Sequence, residues 1–465
     1  MSENIPELVI DTSGAKYVLD QLLGEGGQGA VFSVRGRNLA VKLSSIDRPL
    51  SHNHVRENIA RIRRLPLEGL NVARPIRMLQ EPHAGYVMEL MTGMVPLSTL
   101  FQVPKANKSN VTEWYLSTGG LIRRLRVLAK TASLFGRLHE RGLAYGDASP
   151  QNIFVSSDIS ESEVWLIDCD NIAQGVSQRP VYTRGYAAPE LFRGHAGADS
   201  LTDAWSLGII AYETLSLLHP FDGDSVHDGD PEIEELAFRG EVPWVDQISD
   251  TRNKTESRGL SRDVVLTRPL LKLASDCFEH SRLDRGQRPS APAWAEKLFQ
   301  AADQALICNE CGGSYYFNRA QCPWCSSARP TFVLANVYLR DCDLTDEKQN
   351  PSKVVCKEPG RPTVIDRLVI QHGRKSVLAG RHLFGGQDDQ SKVAATFERG
   401  HVTLEGSPDC EFSLTHRRDT NSLELSGRTE RIDLSHGKSW WWMVPTQSKG
   451  VHRAVSFEMH KADGV

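Results

Sequence analysis

Three glycines, a lysine, an amide and two carboxylates follow one another in an order suited to a phosphate chain and a metal ion. Gly24, Gly26 and Gly29 form a G-x-G-x-x-G, and the absent side chains would let backbone N–H groups approach a triphosphate. The stretch lacks the strand-to-helix setting of a dinucleotide fingerprint. Thirteen residues past Gly29, Lys42 ends the run LAVK, so its ammonium group would reach back beneath the glycine turn toward the α- and β-phosphates. In YGDASPQN, Asp147 is followed five residues later by Asn152. That spacing can turn a carboxylate toward an attacking hydroxyl and an amide toward a metal. Asp168 closes the apolar run WLID sixteen residues after Asn152, a natural place for a metal-binding carboxylate at a cleft edge. Each residue also has a plainer reading as a cap, turn former or solvated strand end; the ordered set is what points to chemistry.

A second constellation pairs Cys308-x2-Cys311 with Cys322-x2-Cys325 across ten intervening residues. Four thiolates on two tight turns suit tetrahedral zinc, and Gly312, Gly313 and Pro323 favour such turns. With sulfur at all four positions no coordination site stays open for catalysis, so a stabilising or docking role is expected. Cysteines 169, 277, 342, 356 and 410 lack paired spacing and read as small buried residues. Cys169 adjoins Asp168, where oxidation or alkylation would interfere with metal binding.

The elements that must position these residues are legible as patterns. Residues 17 to 43 alternate apolar with small or polar residues around the glycine turn, as a bent hairpin does. From residue 121, LIRRLRVLAKTASLFGRLHERG places apolar side chains at helical spacing and stops at Gly142. DAWSLGIIAYETLSLL and LLKLASDCFEH continue the helical pattern to about residue 303. The polar stretches 103 to 120 and 222 to 262 are expected to be irregular insertions. Past residue 330, short runs such as TFVLANVYL, RLVIQ, HVTLEG and SWWWMV with Gly, Asp and Ser between them predict a separate all-β unit of sandwich or barrel type. Trp440, Trp441 and Trp442 read as a strand burying aromatic residues, or as an exposed docking patch.

The 465 residues exceed what one hydrophobic core usually supports, so two or three domains are expected. A formal charge of −4 and 40% hydrophobic residues lack the basic excess of a nonspecific nucleic-acid binder. No apolar run approaches the roughly 20 residues of a membrane span, and MSENIPELVIDTSG has no secretory pattern. A cytoplasmic, reducing setting follows as the expectation, with thiols rather than disulfides.

At this point the chain resembles the eukaryotic-like protein kinase superfamily over about residues 16 to 303, on GEGGQGAV, LAVK, LHERGLAYGDASPQNIFV, LIDCD, GYAAPE, DAWSLG and RPSA. The resemblance implies a bacterial-type serine/threonine protein kinase that uses ATP with magnesium or manganese and acts on protein hydroxyls. The expected architecture is α+β: a bilobal protein-kinase fold over 16–303, a four-cysteine zinc ribbon over 304–330 and an all-β domain over 331–465. By the same match Lys42 anchors ATP, Asp147 accepts the substrate proton, and Asn152 and Asp168 hold the metal. Met88 guards the back of the adenine pocket, with Glu89 to Met91 as its hinge, and Glu190 pairs with Arg288 in the interior. Thr183, near the substrate-docking loop, favours Ser/Thr over Tyr. Glu57 is the candidate partner of Lys42, although Arg61, one turn on, stands where the family usually buries an apolar residue.

Departures matter as well. The usual DFG is Asp168-Cys169-Asp170 and the usual HRD is Tyr145-Gly146-Asp147. The arginine that reads a phosphorylated activation segment is therefore missing, and control by another route is expected. Ser149 replaces the loop lysine that helps neutralise the transferring group. That loss supports an alternative, an ATP-binding pseudokinase scaffold acting through its C-terminal modules. GRHLFGG is faintly similar to forkhead-associated domains, without the serine and histidine of their phosphopeptide site. The layout of kinase plus zinc ribbon also resembles bacterial stress-response kinases that accompany a metal-dependent phosphatase and a von Willebrand factor A-type protein, which implies those two as partners.

Overall fold

The computed structural model describes residues 6–26, 29–44, 52–176, 181–194, 197–255, 257–281, 284–342, 363–386, 388–416, 422–435, 438–446 and 450–462. Alternating apolar residues build its first sheet from β1 (Leu8–Ile10), β2 (Lys16–Gly26), β3 (Gly29–Val34), β4 (Leu39–Ser44), β5 (Arg77–Met78) and β6 (Gly85–Glu89). The strands are antiparallel in the order β1-β2-β3-β4-β6-β5. Tyr17, Leu19, Phe32, Val34, Val41 and Val87 share one core. Because side chains alternate along a strand, Val41 in that core turns its neighbour Lys42 to the opposite face, opposite Val31 of β3 and Tyr86 of β6. Helix α1 (His52–Ile62) buries Ile59 and Ile62.

The three motif glycines differ in what requires them. Gly29 has φ 143°, and a Cβ there would stand 2.0 Å from the Leu43 carbonyl oxygen, so only glycine lets β3 approach β4 this closely. A Cβ at Gly24 or Gly26 would meet nothing within 4 Å, which leaves open space on that side of the hairpin.

Helices build most of the next part. The Ser200–Ser216 helix begins with a capping box: Asp199 accepts from the backbone of Leu201 and Thr202, while Thr202 accepts from the Asp199 N–H. Trp205 on this helix stacks on Phe221 at 5.8 Å and meets Phe278 edge-on at 5.7 Å. Arg288 lies over the Trp205 ring and donates to both carboxylate oxygens of Glu190 at 2.7 and 2.8 Å, the pairing expected from the sequence. The stretches expected to be irregular are partly helical instead. Residues Val111–Ser117 form a helix whose N-cap Asn110 accepts from the Glu113 N–H, and Asp224–His227 and Pro231–Phe238 are helices too, the latter starting on its proline.

The chain divides into two compact units, one of Met1–Lys108, Lys130–Leu260 and Arg268–Trp294, the other of Ser109–Ala129, Ser261–Thr267 and Ala295–Val465. The second holds the hairpin Ala305–Ile307 with Ser314–Tyr316 and two antiparallel sheets. Six strands run in the order Val364–Gln371, Phe332–Cys342, Gly450–His460, Lys438–Pro445, Phe412–His416 and Ser422–Glu424. Four run in the order Ser376–Ala379, Ser391–Glu398, His401–Gly406 and Thr429–Asp433. Val333, Val337 and Phe457 from the first sheet and Val393, Phe397 and Leu404 from the second pack in one core, as in a sandwich. Trp441 packs against that core and on His416, and Trp442 lies on Tyr338 at 5.3 Å, whereas the Trp440 side chain falls outside the described residues. GRHLFGG forms a single helical turn, Gly380–Leu383, whose His382 is buried against Asp303. Among the described residues no helix is long and apolar enough to cross a membrane.

Burial pushes the Glu190 carboxyl up, but hydrogen bonding and charge from Arg288 outweigh it and hold it below its ordinary 4.5. Removing the guanidinium leaves a largely buried carboxylate beside only Arg285, so Arg288→Met is expected to cost about 3 kcal/mol in denaturant unfolding at neutral pH. A depressed carboxyl stabilises above its unfolded pKa and loses that contribution as pH falls through the folded value. The gap between wild type and Arg288→Met should therefore narrow as pH drops below 4.5.

Candidate functional site

Asp147 lies on a loop that the Ser200–Ser216 helix holds from behind. Asp203, 2% exposed on that helix, accepts from the backbone N–H of Tyr145 at 2.7 Å and of Gly146 at 3.0 Å, and lies 3.1 Å from Nε2 of His139. Gly146 has φ 88°, and a Cβ there would stand 2.8 Å from the Asn171 carbonyl oxygen. The arginine usual at this position thus has no place in this backbone. The buried Tyr145 hydroxyl donates to the carbonyl of Ile167, and the Ile167 N–H donates to the Asn152 carbonyl at 2.9 Å, lacing the loop to the strand end that carries Asp168. The carboxylate of Asp147 accepts from the Thr183 hydroxyl at 2.8 Å, and its backbone carbonyl accepts from the Asn152 amide at 3.0 Å. Burial, with Asp168 nearby, pushes the Asp147 carboxyl above its ordinary range against the lowering effect of Thr183.

Lys42 reaches this region from β4. Its ammonium donates to Asp168 and to Asp170 at 2.7 Å each, with the lysine side chain 6% exposed. Burial alone would lower its pKa, but Asp170 and Asp168 hold it above the ordinary value. Asp168 takes a left-handed conformation, φ 57° and ψ 68°, and opens a 3-10 turn over Cys169–Asn171. Cys169 is fully buried between the Tyr86 hydroxyl and the Ala73 carbonyl. Burial drives its thiol strongly upward, so Cys169 is the small buried residue expected from its unpaired spacing, and its thiol is not placed to react beside Asp168.

The structure brings together Lys42, Asp147, Asn152 and Asp168, and sets Gly24 and Gly26 in the β2–β3 hairpin. Met88 lies half-buried on β6 opposite Ala40, followed by the exposed Glu89 and the half-buried Met91. Glu57 is a correction. It is exposed on α1, and the carboxylates on Lys42 are Asp168 and Asp170. The residues of α1 that do face this region are Asn58, donating to the Asp170 carbonyl at 3.0 Å, and Arg61, donating to the Ile172 carbonyl at 2.7 Å. Asp170 and Asn58 were not singled out from the sequence. The acidic residue in place of the usual glycine at 170 was the signal available for the first; nothing marked the second.

The four cysteines form their own cluster in the second unit. One ligand atom from each of Cys308, Cys311, Cys322 and Cys325 lies within 4.8 Å of the others. Sulfurs of Cys308 and Cys325 are 3.6 Å apart, and those of Cys311 and Cys322 are 3.7 Å apart. A zinc–sulfur bond of about 2.3 Å gives a tetrahedral edge of about 3.8 Å, so the four thiols fit this metal. Left-handed residues Gly312 and Ser326 turn the two knuckles, and the Ser327 hydroxyl stands 3.0 and 3.1 Å from the sulfurs of Cys308 and Cys325.

Because Gly146 combines a left-handed backbone with a close carbonyl, Gly146→Ala is expected to lower unfolding stability by about 1–2 kcal/mol or more. Turnover should fall with it, since the strain is relieved by moving the residue next to Asp147. Thermal melting and a rate assay on the same preparation check both.

The protein kinase domain family matches residues 17–300. The chain is 27% identical over 238 residues to serine/threonine-protein kinase pkn3 of Myxococcus xanthus, covering 47% of this chain and 41% of the relative. It is 28% identical over 245 residues to calcium/calmodulin-dependent protein kinase type 1 of Caenorhabditis elegans, covering 51% and 66%. With CBL-interacting protein kinase 4 of Oryza sativa subsp. japonica the identity is 30% over 255 residues, covering 50% and 51%. The chain thus spans between 41% and 66% of these relatives' own lengths. The motif order, the Glu190–Arg288 pair and a match over more than half of its length agree, and the chain belongs to the protein kinase family.

Proposed function

We propose that this protein is a serine/threonine kinase that transfers the γ-phosphoryl group of ATP to protein hydroxyls. The observation that carries the reading is the Asp147 carboxylate, held by Thr183 at 2.8 Å on the same loop framework as Asn152 and Asp168. When bound, magnesium-ATP supplies the transferable group and neutralises its charge. Lys42 would hold the α- and β-phosphates, Gly24 and Gly26 leave room for backbone amides to approach them, and Asn152 and Asp168 would hold the metal. Met88, Glu89 and Met91 border the adenine. Asp147 would orient the substrate hydroxyl and take its proton as that oxygen bonds to the γ-phosphorus and the bond from the γ-phosphorus to the departing ADP oxygen breaks. The assembled set of phosphate, metal and base residues weighs against the scaffold alternative.

The tail carries a structural zinc on Cys308, Cys311, Cys322 and Cys325 in this reading, and the protein works in a reducing cytoplasm where those thiolates persist. A metal-dependent phosphatase and a von Willebrand factor A-type protein are the partner candidates. Nucleic acid and membrane are not among them.

Incubation with magnesium and γ-labelled ATP, alone and with a generic acceptor protein, is expected to give label stable to mild acid and labile to alkali. Asp147→Ala should lower the rate by about 10²–10⁴-fold. Binding of ATP without any Asp147-dependent label would refute the kinase reading. For the tail, elemental measurement should find one zinc per chain, and Cys311→Ser should lose it together with thermal stability, because the metal's binding energy is folding energy.

A further inference from the structure

We infer that Asp170 is the positioning residue for Lys42, doing from the loop after Asp168 what a carboxylate on α1 would otherwise do. The inference rests on the reading that Lys42 holds the phosphates of ATP.

Helix α1 has no carboxylate at hand for the lysine. Glu57 is exposed, and the side chains that reach the region from this helix are the amide of Asn58 and the guanidinium of Arg61, both spent on backbone carbonyls at 170 and 172. A buried ammonium without a fixed anion would wander among rotamers or lose its proton. Asp170 fills that gap. Its Oδ2 lies 2.7 Å from Lys42 Nζ, with the carboxylate side chain 16% exposed. Among the described residues the left-handed non-glycine ones are Asp168, Leu217, Ser326 and Arg399, so 170 takes an ordinary backbone that accepts a side chain without strain.

The two carboxylates on Lys42 have separate tasks. An ammonium group has three donors, and Asp168 and Asp170 take two of them, leaving one for a phosphate oxygen. If Asp168 turns to a metal, a lysine held by Asp168 alone would lose its anchor at that moment. Asp170 keeps it in place. Asn58 then has a purpose of its own: its hydrogen bond to the Asp170 carbonyl ties α1 to the anchor, so movement of that helix is transmitted to Lys42 through the backbone of 170.

The test measures equilibrium binding of magnesium-ATP and of adenosine, which has no phosphates, to the full chain and to Asp170→Asn, with Lys42→Met as reference and melting curves as a folding control. Asp170→Asn is expected to lose about tenfold in ATP affinity while adenosine binding changes less than about twofold, and kcat should fall as well. Unchanged ATP binding and turnover in Asp170→Asn overturns the inference. Parallel loss of ATP and adenosine binding also overturns it, since that marks a merely structural residue. A weakened dependence on magnesium alone would make Asp170 a metal ligand and overturn it too. If Lys42→Met keeps full ATP affinity, the assignment of Lys42 itself fails, which is a different result from failure at Asp170.

Discussion

A carboxylate inside a helical core must be met by donors or it destabilises the fold. Asp203, in the first turn of the Ser200–Ser216 helix, meets that demand with the backbone N–H groups of Tyr145 and Gly146. The consequence is positional: the two peptide units just before Asp147 are fixed to a rigid helix. That helix is fixed in turn. Asp199 caps it and accepts from Arg285, and Arg288 donates to the Leu201 carbonyl as well as to Glu190. Loop, helix and the GYAAPE segment therefore belong to one polar network whose members are buried enough for each hydrogen bond to count. Glycine at 146 is part of it, because the left-handed turn lets both N–H groups point at one carboxylate.

Charge decides what this framework can bind. Asp147, Asp168 and Asp170 bring three carboxylates, against the ammonium of Lys42 and the guanidinium of Arg61, the latter already donating to the Ile172 carbonyl. Ser149 stands where a lysine would add a further positive charge; it is 1% exposed, and its carbonyl accepts from the Asn152 N–H. The site is thus short of positive charge on its own and suited to divalent cations bound with a polyphosphate. The missing loop lysine reads less as a defect than as a larger share of neutralisation left to the metal.

Much of this was legible in the sequence because motif spacing survives folding: Lys42, Asp147, Asn152, Asp168 and the Glu190–Arg288 pair are found where residue type and order put them. Glu57 was not. Helical neighbours point about 100° apart, so a register off by one residue exchanges a side chain in the site for one in solvent, and here Asn58 is the one that reaches inward. A carboxylate is the residue one looks for opposite a lysine, and the helix offered one on the wrong face. The helices Val111–Ser117, Asp224–His227 and Pro231–Phe238 were missed because each is only four to eight residues long, too short to display a helical period. Their starts were readable nonetheless, as Asn110 three residues before Glu113 and as Asp230 before Pro231. The sheet pattern past residue 330 was plain, since period-two runs between turn residues leave little else to build.

The four-cysteine module shows why a small cluster can matter to a large unit. Its hairpin is a junction within the second unit. The Ser314 hydroxyl accepts from the Ile122 N–H, and the Tyr316 hydroxyl donates to the Val265 carbonyl. Gln371 bonds both the N–H and the carbonyl of Ile307, and Trp324 packs on Tyr115 while its indole N–H donates to the Ser314 carbonyl. Segments far apart in sequence, 109–129, 261–267 and the Val364–Gln371 strand, thus meet on two short strands of three residues each. Strands that short cannot hold such a junction by their own ladder. Closing the loop from Cys308 to Cys325 with the proposed zinc would restrict the unfolded chain and fix the turns at Gly312 and Ser326. A metal bound at the proposed site would be felt wherever those hydrogen bonds lead, well beyond the four cysteines.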